Sequence, residues 1–221
     1  MPKRGTKGTE GTKDQQSAGP SLASLKSLSS LADTSSDKFI PPHGGYQDLL
    51  SYQKALIVYD ATLYFCNRFS TKFDRTREQM TQAARSGQQN ILEGSEASGT
   101  SKETEIKLTN TARASLKELL EDYRDFMRNR RIEEWKADHP HALRLRKLNR
   151  MPGANYETVK KAIEHSDPAI CAHTNAGLIK VTCYLLDRQI ERLERDFVKE
   201  GGLRERMTRA RLAARSKQRR Q

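Results

Sequence analysis

Residues 46–69 read YQDLLSYQKALIVYDATLYFCNRF, and their apolar side chains recur at steps of three and four residues. The recurring residues are Leu49, Tyr52, Leu56, Tyr59, Leu63, Cys66 and Phe69. Steps of this size place side chains on one face of an α-helix, which turns once in about 3.6 residues. The stretch therefore predicts an amphipathic helix that buries one side against other helices.

Three more stretches with the same spacing follow this first helix. A second helix is expected over residues 76–93, with Gly94 as its stop signal. A third is expected to begin at Ser101, whose hydroxyl can cap a helix start, and a fourth to begin after Pro168 and end before Gly201. No segment is rich in strand-forming residues, so we predict an all-α fold, an antiparallel up-down-up-down four-helix bundle.

Composition divides the chain into a bundle and its appendages. Residues 1–45 are rich in Ser, Thr, Gly and Lys, which predicts a disordered tail. The bundle is assigned to residues 46–202, with an insertion over residues 131–167 between helices three and four, where breaks at prolines leave room for one or two short helices. Residues 203–221 are expected to form a basic C-terminal helix.

The charge balance favours a polyanionic partner. The chain has 40 Lys and Arg against 28 Asp and Glu, a formal net charge of +12. No stretch reaches the roughly 18 apolar residues that cross a bilayer, and no signal peptide is visible, so we expect a cytoplasmic protein without membrane contact. Cys66, Cys171 and Cys183 lack metal-like spacing and are predicted to be reduced and structural.

Motifs for catalysis or metal binding are not evident in the sequence. Di-metal bundle enzymes carry a Glu-x-x-His motif on two helices, and none of the five histidines fits one. His139 and His141 flank a proline of the insertion and are expected in a surface loop. No local motif supports a Ser-His-Asp or Cys-His arrangement. We therefore predict a protein that is not an enzyme and that uses no cofactor or metal.

A row of polar residues on helix two has two interpretations. Ser86, Asn90 and Glu93 lie at steps of four and three residues, so they share one face, and Arg113 or Glu118 of helix three is expected to meet them. Such a row in a bundle is either a small-ligand or catalytic site or a hydrogen-bonded network that fixes helix register. We favour the structural network.

Basic clusters are the stronger functional signal. From Lys199 onward nine basic residues face two acidic ones, which is typical of segments that bind nucleic-acid phosphates, although a merely solubilising tail is the alternative. The predicted contact residues are Arg204, Arg206, Arg209, Arg211, Arg215, Lys217, Arg219 and Arg220, with a second cluster of Arg144, Arg146, Lys147 and Arg150 in the insertion. Aromatic residues do not interleave with either cluster, which favours backbone contact over base stacking.

Residues 79–94, QMTQAARSGQQNILEG, and the Ser-Lys-Glu of residues 101–103 resemble the four-helix-bundle family known from proteins encoded in intervening sequences of bacterial 23S ribosomal RNA genes. The shared motifs are Gln before Ala-Ala-x-Ser, the helix end Asn-Ile-x-Glu-Gly, and Ser-x-Glu opening the next helix. The insertion and ending are similar to a longer variant, the four-helix-bundle suffix type, at residues 155–157 and 196–206.

The resemblance implies an up-down-up-down bundle that is often a homopentamer with a basic surface. One branch of the family serves as the accessory variability determinant of retroelements and binds RNA and a reverse transcriptase. We therefore expect a non-enzymatic accessory protein that binds RNA or DNA. It is expected to form a homo-oligomer, with a pentamer favoured, and to have a protein partner such as a reverse transcriptase. The alternative is an oligomeric protein-protein interaction scaffold without nucleic-acid binding.

Overall fold

The computed structural model describes residue 40, residues 42–70 and residues 75–220, and these ranges form helices and contain no strand. The elements are a 3-10 helix Tyr46–Asp48, then α1 Leu50–Phe69, α2 Arg75–Ala97, α3 Lys102–Asn129, α4 Pro140–Asn149, α5 Tyr156–Ile163, α6 Pro168–Glu200 and α7 Leu203–Gln218. The predicted disordered tail, residues 1–45, lies almost wholly outside the described residues. Within these ranges no helix combines the length and apolar character that crossing a membrane requires.

The four long helices, α1, α2, α3 and α6, each contact two of the others. Helices α1 and α3 both pack against α2 and against α6, while the short helices α4 and α5 of the insertion pack against α6. Phe65, Leu116 and Ile179, from α1, α3 and α6, are fully buried in the shared core. The all-α prediction is therefore confirmed for the described part of the chain.

Two helix starts form where the sequence predicts them. The Ser101 hydroxyl accepts a hydrogen bond from the Thr104 backbone N–H at 3.1 Å and so caps α3. Helix α6 begins at Pro168, and the side chain of Asp167 accepts from the Ala169 N–H at 2.8 Å. In both cases a short polar side chain satisfies a backbone donor that the helix leaves free.

Gly94 does not end the second helix, because α2 continues to Ala97. Gly94 is buried, and a Cβ atom added there would lie 3.4 Å from both the Glu105 carbonyl oxygen and the Leu108 Cβ atom of α3. The missing side chain therefore lets two helix backbones approach closely. The local cost of glycine in a helix, about 1 kcal/mol relative to Ala, is outweighed here by tertiary packing.

A buried hydrogen-bonded centre joins three of the long helices. The Tyr123 hydroxyl donates to Thr62 Oγ1 at 3.1 Å and accepts from Asn175 Nδ2 at 2.9 Å. The same amide lies 3.3 Å from the Ala61 carbonyl oxygen. Burial raises the pKa of Tyr123 well above its usual range, so the phenol stays protonated and able to donate. These bonds pair the Tyr123 hydroxyl and the Asn175 amide nitrogen within the core and specify how α1, α3 and α6 meet.

Gly87 provides a sharp test of the packing between α2 and α3. A Cβ atom at Gly87 would lie 2.6 Å from Leu116 Cδ2, and Leu116 is fully buried. We expect Gly87→Ala to lower the free energy of unfolding by about 1–2 kcal/mol in urea titrations, because overpacking outweighs the gain in helix propensity. In a Leu116→Ala background the same change should be neutral or stabilising. An equal loss in both backgrounds would contradict this close contact.

Candidate nucleic-acid interface

The basic C-terminal helix is separated from α6 by a glycine pair. Gly201 ends α6 and has φ +70°, a positive value that residues other than glycine rarely adopt. The backbone N–H of Gly202 then donates to Glu205 Oε2 at 2.9 Å, which caps the start of α7. The pair therefore stops one helix and lets a second begin two residues later.

Most residues of helix α7 are exposed to solvent. None of its residues is buried, and it makes no extensive contact with another helix in the described ranges. Of the predicted contact residues in this segment, Arg206 is half-buried and the others are exposed. The Arg209 guanidinium donates to the Glu200 carbonyl oxygen and so holds the first turns of α7 near the end of α6. Most of the cationic side chains are thus held on a helix and open to solvent.

Several arginines of the long helices form salt bridges with acidic residues. Arg128 of α3 lies 2.6 Å from Asp125, and Arg188 of α6 lies 2.9 Å from Glu191. Among the described residues, no salt bridge involves an arginine of α7. The positive charge of this helix is therefore available to an external anion.

The second basic cluster lies on α4 and just after it. Arg144, Lys147 and Arg150 are exposed at steps of three residues, while Leu145 on the other side of the helix is buried against α6. Arg146 is turned toward the preceding loop, where its guanidinium donates to a backbone carbonyl. Three of the four predicted contact residues thus form an exposed row, and the fourth anchors the helix.

Hydrogen bonds join some, but not all, of the residues in the predicted polar row on α2. Asn90 Nδ2 donates to the Ser86 carbonyl oxygen at 2.8 Å and to Ser86 Oγ at 3.1 Å. Ser86 Oγ also lies 3.1 Å from Ser115 Oγ of α3, a partner that sequence analysis missed. Glu93 accepts a hydrogen bond from Gln89 at 3.4 Å on the exposed side of the helix. The link between α2 and α3 is therefore a pair of serines.

Arg113 lies away from the predicted polar row, whereas Glu118 lies beside it. Arg113 Nη1 donates to Asp187 Oδ1 of α6 at 2.6 Å, because residues two apart on a helix point to nearly opposite sides and Ser115 faces α2. Glu118 lies three residues after Ser115 and lines the groove beside it. The structure therefore brings Glu118 near the serine pair and turns Arg113 toward α6.

Asp122, one turn beyond Glu118, should make stability depend on pH. Burial, with the charges of Glu118 and Asp125, raises the pKa of Asp122 from 3.8 to about 6. The folded chain thus holds a proton that the unfolded chain has released, so stability should fall as pH rises through about 6. We expect Asp122→Asn to stabilise the protein at pH 7 by about 1–2 kcal/mol, since solvent screens part of the charge.

Urea titrations between pH 4 and pH 8, values that bracket the pKa of Asp122 at about 6, test this prediction. The Asp122→Asn variant should match the original chain near pH 4, gain a stability advantage that grows as pH rises to about 6, and keep that advantage unchanged above about pH 7. Asp138→Asn, a change at an exposed carboxylate outside α3, is the control, because Asp138 is not among the charges that raise the pKa of Asp122. Parallel pH profiles for the original chain and Asp122→Asn would exclude the proposed titration.

The insertion contains an aromatic stack that the sequence did not reveal. The ring of Trp135 stacks on His173 of α6 at 4.4 Å and on His139 at 4.8 Å, with His141 at 5.2 Å. His173 is buried, and its Nε2 atom lies 2.9 Å from the Glu133 carbonyl oxygen. His139 and His141, expected in a surface loop, therefore help to hold the segment after α3 against α6.

The cysteines occupy the core, as the sequence predicts. Cys66, Cys171 and Cys183 are buried, and burial raises the pKa of Cys171 and of Cys183 to about 11. These two thiols stay protonated at neutral pH and are poor nucleophiles. In the ranges that the structure describes, no group of three His, Cys, Asp or Glu side chains is placed to hold a metal ion.

The described residues define an all-helical protein with a solvent-exposed cationic helix after its long helices. Comparisons with protein-family models, with curated proteins and with solved structures found no match for this chain. Membership of the four-helix-bundle family that residues 79–94 resemble therefore stays a prediction.

Proposed function

We propose that this chain is a non-enzymatic, cytoplasmic accessory protein that binds RNA or DNA through basic surfaces on an oligomeric four-helix bundle. The observation that carries the proposal is α7, whose arginines, apart from the half-buried Arg206, are exposed and which forms no salt bridge among the described residues. When unpaired cations on a protein surface contact phosphates, they displace the counterions condensed on the nucleic acid. This counterion release drives nucleic-acid binding.

The proposed bundle has the up-down-up-down order. Along each contact between long helices, residue numbers rise on one helix as they fall on the other, which supports neighbours that run in opposite directions. The pairs are Tyr52–Gln88 and Asn67–Arg77 for α1 and α2, Gly94–Leu108 and Gly87–Leu116 for α2 and α3, Arg113–Asp187 and Tyr123–Asn175 for α3 and α6, and Ser51–Gln189 and Ala61–Asn175 for α1 and α6.

The proposed contact is with the phosphate backbone. Helix α7 contains no aromatic residue, so it offers arginine planes and charges rather than rings for base stacking. Phosphate contacts fix the position of a protein on a strand and carry no sequence information by themselves. The exposed row of Arg144, Lys147 and Arg150 adds a second anion-binding surface on α4. We therefore expect binding with little sequence preference from these two helices.

Titration of labelled RNA and DNA at several salt concentrations tests the proposed function. We expect binding at about 50 mM salt, with log affinity falling against log salt by about 0.7 for each phosphate neutralised on single strands and about 0.9 on duplex DNA. Absence of binding at about 50 mM salt would overturn the proposal, because electrostatic affinity is strongest there.

The family resemblance is the basis for proposing a homo-oligomer of five subunits. It is also the basis for proposing a protein partner such as a reverse transcriptase. The long helices expose the apolar side chains of Leu50 by 51%, Tyr184 by 60% and Val198 by 84%, which a subunit interface would cover. The same side chains favour the second candidate function, a protein-protein interaction scaffold. Light scattering at micromolar concentration should give the mass of a homo-oligomer, and a scaffold should keep that mass while binding no nucleic acid.

A further inference from the structure

The outer face of α6 carries a row of exposed side chains between the α4 contact and the glycine pair. Helix α4 covers this face around Gly177, where an added Cβ atom would lie 2.5 Å from Leu145 Cδ2. Beyond α4 the same face is open to solvent, and residues at steps of three and four share it because the helix turns once in about 3.6 residues. The members of this α6 row are Lys180, Tyr184, Arg188, Arg192, Arg195 and Lys199, and all are exposed.

Tyr184 is the aromatic residue of the α6 row, and its side chain is 60% exposed. Among the residues that the structure describes, every other aromatic side chain is buried or half-buried. The guanidinium carbon of Arg188, one helical turn away, lies 5.7 Å from the centre of the Tyr184 ring. An exposed ring beside an arginine offers a surface on which an unpaired base can stack. The α6 row therefore has the stacking ring that both basic clusters lack.

The cations of the α6 row differ in whether an acidic residue neutralises them. Lys180 and Arg188 form salt bridges with acidic residues. The other three form none among the described residues, and they are Arg192, Arg195 and Lys199. Their positive charge is available to the phosphates of a strand that places a base on Tyr184.

Carboxylates on the side of α6 that faces α3 set one border of the row. Asp187, Glu191 and Glu194 line the groove between these two helices. Asp187 pairs with Arg113 at 2.6 Å and Glu191 with Arg188 at 2.9 Å, so two of the three carboxylates are neutralised within the protein. The remaining negative charge disfavours a phosphate chain in the groove and leaves the exposed row as its path.

The α6 row also links the two basic surfaces at its ends. Helix α6 is continuous over Pro168–Glu200, so Lys180 and Lys199 lie about 28 Å apart along its axis at a rise of about 1.5 Å per residue. The first of them follows the contact with α4, and the second comes just before the glycine pair that leads into α7. A strand extended along this face thus begins beside α4 and reaches α7.

We propose that the α6 row binds a single strand of RNA or DNA, with one base stacked on Tyr184 and neighbouring phosphates on Arg192, Arg195 and Lys199. This inference rests on the proposed function and narrows it to single strands. In a duplex the bases already stack on one another and offer no free face to the ring. Every base has a face that can stack, so we expect little sequence preference at Tyr184.

Substitution of Tyr184 tests the stack. Tyr184→Ala should weaken binding of a single-stranded oligonucleotide about tenfold, a typical loss for one base on one aromatic side chain, and should leave the affinity for a duplex of the same sequence unchanged. The salt slope should stay the same, because no charge is removed. Tyr184→Phe keeps the ring and should bind single strands like the original chain. Fluorescence anisotropy with the full chain at about 50 mM salt measures these affinities.

Photocrosslinking locates the stacked base. Ultraviolet light joins 5-bromouracil in a strand to a tyrosine stacked on it, with loss of hydrogen bromide. Trypsin cleaves after Lys180 and Arg188, so it releases residues 181–188 as a peptide whose only aromatic residue is Tyr184. This peptide should carry the crosslinked base in the original chain, and the crosslink to it should disappear in Tyr184→Ala.

The outcomes separate this inference from the proposed function. An unchanged single-strand affinity in Tyr184→Ala, or an equal loss for single strands and duplex, would overturn the stack and leave the proposed function standing. A lower mass of Tyr184→Ala in light scattering would assign the ring to a subunit interface and also overturn the stack. If the original chain binds neither single strands nor duplex, the proposed function fails, and the assignment of the α6 row fails with it.

Discussion

Glutamine in place of the seven arginines of the C-terminal segment should lower affinity for single-stranded RNA by about two orders of magnitude or more at low salt. The substituted residues are Arg204, Arg206, Arg209, Arg211, Arg215, Arg219 and Arg220. If all seven neutralise a phosphate, the slope of log affinity against log salt should become less steep by about 5 for single strands. Fluorescence anisotropy at four or more salt concentrations measures both quantities.

Stability and sequence preference should barely change in this variant. Helix α7 contributes no buried residue, so circular dichroism and the thermal melt should match those of the original chain. Glutamine at Arg124, Arg128 and Arg188, which already have acidic partners, is the matched control and should leave most of the affinity intact. An unchanged salt slope in the α7 variant would move the binding surface to the row of Arg144, Lys147 and Arg150.

Alanine at Phe65 should cause the largest loss of stability among single substitutions tested on this protein, about 3–5 kcal/mol. The Phe65 ring is fully buried and lies 4.9 Å from the ring of Tyr123, 4.8 Å from that of Phe126 and 5.3 Å from that of Phe69. Removing it deletes apolar burial and three aromatic contacts and leaves a cavity between α1 and α3. Urea unfolding followed by circular dichroism measures the loss.

Two further variants calibrate the Phe65 result. Phe65→Leu retains part of the volume and should lose less stability than Phe65→Ala. Val198→Ala removes an apolar side chain that is 84% exposed and should change the free energy of unfolding by less than about 0.5 kcal/mol. A loss below about 1 kcal/mol for Phe65→Ala would show that the core around this ring is loosely packed.

Local sequence signals predicted the helices better than they predicted where one of them ends. The caps at Ser101 and Asp167 act within three residues of themselves, so the starts of α3 and α6 can be inferred without tertiary information. Gly94 was misjudged as a stop because its cost inside a helix is local, whereas its benefit is the close approach to Glu105 and Leu108 on another helix. That contact depends on how α2 and α3 dock.

Among the candidate sites too, the local sequence predicts those whose residues are near neighbours along the chain and misses those that tertiary contacts assemble. The basic clusters were evident because their members are near neighbours along the chain, and the structure shows most of them exposed. The aromatic stack around Trp135 was missed, because it joins rings of the insertion to His173, and these meet only when the insertion folds back on α6. The Ser115 hydroxyl was missed as well, because nothing in the local sequence marks it as the partner of Ser86.

The glycine pair between α6 and α7 has an evolutionary consequence. Because Gly201 ends one helix and α7 buries no residue, substitutions after residue 202 escape the volume and polarity constraints that act on the core. Selection can therefore alter the length, charge or ligand preference of α7 at little cost to folding, whereas Phe65 and Tyr123 tolerate few replacements. Relatives of this chain should diverge fastest after the glycine pair, and the long helices should change slowly.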